Sequence, residues 1–344
     1  MAFIDDLMEQ PAALNRLLDH TTTNPSSCTL DLKSYDLILI TGMGGSHFAN
    51  YYLWRKLHRA GLPVQWISTD ELLSFEADSW GHTRTLIWVA SQSGLSGEVC
   101  ELIFRHGSGP GVDVLVVTNT SSSTPLTERA DYVQDIKAGP EATVGTKTYT
   151  NTVVANELLA TTLLNGNINE SIALYRQAAT GITEYLNGDW RKSLSPLVKH
   201  AVSSKTFVIV GRGSGHGTAL EGALILKEAV NMHVEGLSAG QFRHGPLELA
   251  DPNLLLWLIA GGPSYAELDV AFACDLVGFG AHVAVTGLRQ RAPGAFEIPA
   301  PEGSGLTEPI RHIIPIQLAA IVIAESAGLE PGVFRNNQKV TTAL

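Results

Sequence analysis

Cysteine is scarce in this chain: Cys28, Cys100 and Cys274 are the three in 344 residues. Thiols so few and so scattered build neither a disulfide framework nor a metal-binding knuckle. They fit a reduced, cytoplasmic protein. Positive charge is short as well. Lys and Arg total 23 against 34 Asp and Glu, a net charge of −11, which argues against nucleic acid, since its recognition needs basic clustering. The opening Met1-Ala2-Phe3-Ile4-Asp5-Asp6 has no basic or apolar leader and does not read as a signal peptide. Long apolar runs are missing too. The longest, Ile313 to Ala324, is interrupted by Pro315 and Gln317 and is too short to span a bilayer. Neither a nucleic-acid nor a membrane partner is expected.

What is present is an ordinary globular composition. Residues are 44% hydrophobic and 17% charged, enough for a sizeable core, and the 33 glycines suit many short loops. The length predicts about two domains, and the sequence repeats itself accordingly. Leu37-Ile38-Leu39-Ile40-Thr41-Gly42-Met43-Gly44-Gly45-Ser46-His47 parallels Thr206-Phe207-Val208-Ile209-Val210-Gly211-Arg212-Gly213-Ser214-Gly215-His216, about 170 residues on. The same offset lays Thr85–Val89 onto Leu254–Leu258, and Val114–Val117 onto Val283–Thr286. A constant offset across three apolar runs reads as two copies of one domain. Each copy alternates β-rich runs with helical patterns, as βαβ units of a parallel sheet do. In the first copy the pattern predicts strands at about 37–41, 64–68, 85–90, 113–118 and 132–135. Helices are expected at about 46–60, 70–77, 96–106 and 124–130, with a long one over 147–164. A helical arm precedes the copies and a helical segment over about 167–200 links them.

The segment Ser91-Gln92-Ser93-Gly94-Leu95-Ser96 lies between the apolar run Thr85–Ala90 and a helix start at Gly97. A helix N-terminus offers unpaired N–H groups and the positive end of a dipole. Hydroxyls beside it make a phosphate site without Lys or Arg. The plainer alternative is that Ser91 or Ser93 merely caps the helix. The second copy has Ala260-Gly261-Gly262-Pro263 at this place, so the phosphate-type site is assigned to the first copy. The second copy carries Glu221 and Glu228, seven apart on one face of an apolar helix, where burial would raise a carboxyl pKa. It also carries His244 before Gly245-Pro246, at a chain turn where an imidazole suits proton transfer. The plainer readings are a surface carboxylate, a solvated loop histidine and, for Lys339, a solvated tail lysine. His47 and His216 read as loop-lining residues. Gly42-Met43-Gly44-Gly45-Ser46-His47 imitates a dinucleotide-binding turn, with Asp70 after a second strand, but histidine replaces the third glycine in both copies. Nicotinamide binding is not expected.

Five motifs resemble the SIS (sugar isomerase) family: Gly44-Gly45-Ser46; Ser91-Gln92-Ser93-Gly94-x-Ser96; Ala219-Leu220-Glu221-Gly222-Ala223-Leu224-x-Leu226-Lys227-Glu228; His244-Gly245-Pro246-Leu247; and Arg335-Asn336-x-x-Lys339. The form is the tandem one of the isomerase half of glucosamine-6-phosphate synthase and of stand-alone fructosamine-6-phosphate deglycases. The resemblance implies an α/β fold of two tandem SIS domains, each a parallel five-stranded sheet flanked by helices in a flavodoxin-like αβα sandwich. The expected boundaries are a helical arm at 1–30, domains at 31–165 and 201–328 around a linker at 166–200, and an active-site tail at 329–344. By resemblance, Gly44, Ser46, Ser91, Gln92, Ser93 and Ser96 bind the sugar 6-phosphate and nearby hydroxyls, with Val144 and Glu221 also lining the substrate. Glu228 would move a proton between C1 and C2. His244 would open the ring, coming from the neighbouring subunit of a homodimer, and Lys339 would stand near the open-chain carbonyl. Glu141-Ala142-Thr143-Val144-Gly145-Thr146-Lys147 is similar to the segment that closes over the sugar, with altered length. No metal or redox cofactor is required.

Two departures narrow what the resemblance implies. The synthase begins with a nucleophilic cysteine after Met, whereas here residue 2 is Ala2. No glutaminase domain, and hence no glutamine-dependent transfer, is expected. The synthase also has a lysine four residues after the position of Glu221, and here that place holds Ile225. The expected activity is therefore proton transfer on a sugar or amino-sugar 6-phosphate. Isomerase, deglycase and deaminase outcomes are open, and a non-catalytic sugar-phosphate sensor is the alternative outside enzymes.

Overall fold

The computed structural model describes residues 2–24, 28–74, 83–120, 122–336 and 338–343. Helices α1 (Phe3–Met8) and α2 (Gln10–Thr23) open the chain. Next come β1 (Leu37–Gly42), α3 (Gly44–Arg59), β2 (Val64–Trp66), α4 (Thr69–Ser74), β3 (Thr85–Ala90), α5 (Gly97–His106), β4 (Val112–Thr118), β5 (Tyr132–Asp135) and α6 (Lys147–Leu163). All five strands are parallel, in the order β2-β1-β3-β4-β5. After α7 (Ile168–Leu186) and α8 (Trp190–Ser203) the pattern recurs: β6 (Thr206–Gly211), α9 (Gly215–Val230), β7 (Val234–Ser238), α10 (Ala239–Phe242), β8 (Leu254–Ile259), α11 (Ala266–Gly278), β9 (His282–Thr286), β10 (Phe296–Glu297) and α12 (Glu308–Ser326). The second sheet is also parallel, ordered β10-β9-β8-β6-β7. Two compact units result. One comprises Ala12–Arg176 with Asn336–Leu344, the other Met1–Pro11 with Gln177–Arg335.

The continuous apolar runs become the central strands because both faces are covered. Every residue of β3 and of β8 is buried. In the first sheet Leu39, Ile87, Val89, Val114 and Val116 pack under α5 with Val99, Leu102 and Ile103. Each central strand also carries a tryptophan at the repeat offset, and each indole needs a partner. Trp88 Nε1 donates to Asn156 Oδ1 at 3.0 Å, Asn156 Nδ2 to Asn50 Oδ1 at 2.8 Å, and Asn50 Nδ2 to the Thr41 carbonyl at 2.6 Å. This chain ties α3 and α6 to the sheet. Trp257 Nε1 instead donates to Thr286 Oγ1 at 2.9 Å, and that hydroxyl donates to the Ile298 carbonyl at 3.0 Å.

One sequence expectation changes. The helix expected at 124–130 is only a 3₁₀ turn at Thr127–Arg129. Thr124 Oγ1 accepts from the Thr127 N–H at 3.2 Å, and such local side-chain bonds compete with a helix. The expected helix over 70–77 runs from Thr69 to Ser74, and its remainder lies outside the described residues. The linking segment is two helices, α7 and α8, parted at Asn187-Gly188-Asp189. The apolar run at 313–324 sits within the longer α12, which by length and composition could cross a membrane. It is the core helix of its unit, packed on α8 and α9.

Candidate functional site

In the first sheet the chain leaves β1 toward β2 on one side, while β3 lies on the other. The carboxyl ends of β1 and β3 therefore flank the topological switch point, where open α/β sheets bind ligands. The loop after β1 carries Gly44, exposed, and Ser46, half-buried in the first turn of α3. The loop after β3 carries Ser91, buried, and Gln92, Ser93 and Ser96, half-buried. Neighbouring β4 fixes this second loop. The Ser91 N–H donates to the Val117 carbonyl at 3.0 Å, and the Gln92 carbonyl accepts from the Asn119 N–H at 3.0 Å. Ser93 Oγ accepts from the Leu95 N–H at 3.1 Å, and Ser96 Oγ donates to Glu98 Oε2 at 3.3 Å. The N-cap residue of α5, Ser96, makes no side-chain cap bond. Neither Ser91 nor Ser93 stands at the N-cap position itself. The backbone of the loop is pinned to β4 and leads, through Ser96, into the amino end of α5, an arrangement suited to an anion.

His47 follows Ser46 in the first turn of α3. Its ring stacks on Trp66 at 4.2 Å with 3° between planes, and Trp66 Nε1 donates to the His47 carbonyl at 2.9 Å. Burial pulls this imidazole down to about 4, against a smaller upward pull from the Asp70 carboxylate. It is neutral at pH 7. Val144 is buried in the segment between β5 and α6. At the start of that segment Glu141 caps α6 and accepts a hydrogen bond from Lys339 through its backbone carbonyl.

The structure therefore brings Gly44, Ser46, Ser91, Gln92, Ser93, Ser96, Val144 and Lys339 into one compact unit. Glu221, Glu228 and His244 belong to the other. Glu221 is buried and Glu228 half-buried, two turns apart on α9, with Ile225 fully buried between them. His244 is exposed just beyond α10, its N–H donating to the Gln241 carbonyl at 3.0 Å.

The second sheet has its own switch point, between β6 and β8, and fills it differently. Asp269, fully buried, accepts from Arg212 Nε at 2.9 Å and from the Gly261 N–H at 2.8 Å. Ser214 Oγ donates to Glu308 Oε2 at 3.1 Å, and burial raises the Glu308 carboxyl. These pairs stand at the loops after β6 and β8, where the first sheet carries its hydroxyl-bearing loops. Among the described residues no group of three or more His, Cys, Asp or Glu converges as a metal site would.

Sequence reasoning did not find Glu141 as the partner of Lys339. The two are 198 residues apart, and no local pattern connects them.

The two sheets, each with a strand order that reverses next to its first strand, define a doubly wound α/β protein. Residues 202–286 match the model of the SIS domain family. A glutamine–fructose-6-phosphate aminotransferase (isomerizing) of Mycolicibacterium smegmatis is 29% identical over 98% of this chain. The chain spans 57% of the length of that relative. The C-terminal domain of a glucosamine-fructose-6-phosphate aminotransferase from Francisella tularensis shares the fold, with a TM-score of 0.80 at 21% identity over 97% of this chain and 98% of that one. Tagatose-6-phosphate ketose/aldose isomerase from Escherichia coli does so as well, at 0.74 and 18% identity over 96% of this chain and 94% of that one.

Proposed function

We propose that this chain is an enzyme of sugar or amino-sugar 6-phosphates that moves a proton between C1 and C2. The observation that carries the reading is the pair of hydroxyl-bearing loops at the switch point of the first sheet. Ser46, Ser91, Gln92, Ser93 and Ser96 would hold the phosphate, with Gly44, Val144 and Glu221 as further substrate-binding residues. Anchoring the phosphate supplies binding energy remote from the reacting carbons and orients them. Glu228 would act as base and then acid across an enediol. His244 would assist ring opening, in a homodimer, and Lys339 would stand by the carbonyl. Tandem SIS domains are part of this reading, supported by the repeat in sequence and in strand order. The same first proton removal serves isomerisation and release of an amine, so the leaving group decides between isomerase, deglycase and deaminase outcomes.

The test is solvent deuterium exchange at C1 and C2 of fructose, glucosamine, galactosamine and fructosamine 6-phosphates, followed by NMR. Exchange with at least one of them, lost in Glu228→Gln, is the expected result. A sugar phosphate that binds without exchange would leave a sensor instead.

A further inference from the structure

The last nine residues, Asn336–Leu344, pack with the unit that carries the serine loop. Two ties hold this segment. At the first, Lys339 Nζ donates to the Glu141 carbonyl and lies 3.7 Å from Glu141 Oε2. The Glu141 carboxylate is itself fixed. Its Oε1 accepts from the Thr146 N–H at 2.9 Å, the Thr146 hydroxyl at 3.1 Å and the Thr148 N–H at 3.1 Å. Its Oε2 accepts from the Thr148 hydroxyl at 2.6 Å. Glu141 thus does for α6 what an N-cap side chain does, since Thr146, the N-cap residue, makes no such bond itself. The charge facing Lys339 is therefore anchored on a 17-residue helix. At the second tie the Gly97 N–H, first in α5, donates to the Thr341 carbonyl at 3.0 Å. A Cβ at Gly97 would lie 2.9 Å from the Thr342 carbonyl oxygen, so only a residue without a side chain lets the tail lie there. Lys339 and Thr341 are two residues apart, so their Cα atoms are separated by at most about 7 Å.

We propose that Glu141 and Gly97 are positioning residues, which strap the C-terminal segment to the serine-loop helix and to the Val144 segment and so fix where the Lys339 ammonium stands. The two contacts lie on opposite sides of Val340. Together they convert a terminal lysine, which chain ends would otherwise leave frayed, into a group with one address. The catalytic value of the strap rests on the sugar-phosphate reading above; the strap itself does not.

The experiment compares wild type, Gly97→Ala and Glu141→Gln by amine acetylation in the folded state, with the Lys339 rate read by mass spectrometry against exposed Lys33. Ala is a better helix former than Gly, so Gly97→Ala keeps α5 while expelling the tail. Glu141→Gln keeps an acceptor oxygen for Thr146 and Thr148 and removes the charge facing Lys339. Lys339 is expected to react faster in both variants, by about 5-fold in Gly97→Ala, the ratio that one net hydrogen bond sets, with Lys33 unchanged. Wild-type Lys339 rates in both variants would overturn the proposal. On any sugar phosphate that the wild type turns over, kcat is expected to fall with KM nearly unchanged, because the serine loop is untouched. A wild type that turns over none of them sinks the functional reading and leaves the labelling result to decide the strap.

Discussion

Gly42 on β1 lies in register with Ala90 on β3, and a Cβ on Gly42 would stand 2.8 Å from the Ala90 carbonyl oxygen. It would also stand 3.2 Å from the His47 backbone nitrogen. This close approach seats the first turn of α3, with Ser46, against the strand that leads into the serine loop. Gly42→Ala is expected to cost about 1–3 kcal/mol, the range for overpacking, and to weaken sugar-phosphate binding as well. Urea unfolding and calorimetric titration measure the two; a variant with wild-type stability would mean that this approach is not tight.

The phosphate role of the serine loop is separable from stability. Ser91→Ala and Ser93→Ala each remove one hydroxyl from a loop whose backbone is held by β4. A hydrogen bond to a charged group contributes about 1.5–3 kcal/mol, so each variant should weaken sugar 6-phosphate affinity about 10- to 100-fold. Affinity for the unphosphorylated sugar should not change. Equal losses for both ligands would remove the phosphate from this loop.

The Arg212–Asp269 pair in the other unit has the opposite character. Breaking a buried pair strands a charge, and Asp269 is wholly inaccessible. Asp269→Ala is expected to lower unfolding free energy by about 3 kcal/mol, with the Gly261 N–H also losing its acceptor. Denaturant melts at pH 7 measure this, and a change within experimental error would show the pair to be replaceable.

Acid should destabilise the fold through two histidines. Burial holds His47 at about 4 and His312 at about 3, against an ordinary 6.5. Below pH 6.5 the unfolded chain takes up protons that the folded state refuses, so stability falls with pH from 6.5 down to the folded values and is flat above. For His47 the loss approaches about 3 kcal/mol at its limit. His47→Phe, which keeps a ring against Trp66, should flatten the stability–pH profile between pH 6.5 and 4. A slope equal to that of wild type would contradict a neutral, buried His47.

Much of the architecture was legible because it depends on local rules. Apolar runs marked β1, β3, β4 and β8 to within a residue or so, since a strand covered on both faces has no polar alternation to obscure it. The repeat offset carried the reading from one sheet to the other, and even aligned Trp88 with Trp257. The reading failed at 124–130, where threonine hydroxyls bond the backbone locally and leave only a 3₁₀ turn. It also could not tell whether the serines capped α5, because a cap and a cradle use the same residues at the same place.

The sequence by itself determined two repeats of parallel βαβ units, the placing of the hydroxyl loop before a helix and its loss in the second copy. These follow from periodicity, turn chemistry and a comparison of the chain with itself. Only the tertiary structure decided that the backbone of the serine loop is tied to β4, that Arg212 and Asp269 occupy the matching crevice, and that Lys339 returns to Glu141 across 198 residues. The reason is physical. Such contacts form between groups far apart in the chain, and which donor meets which acceptor is settled by how sheets and helices pack, not by the spacing of residues along them.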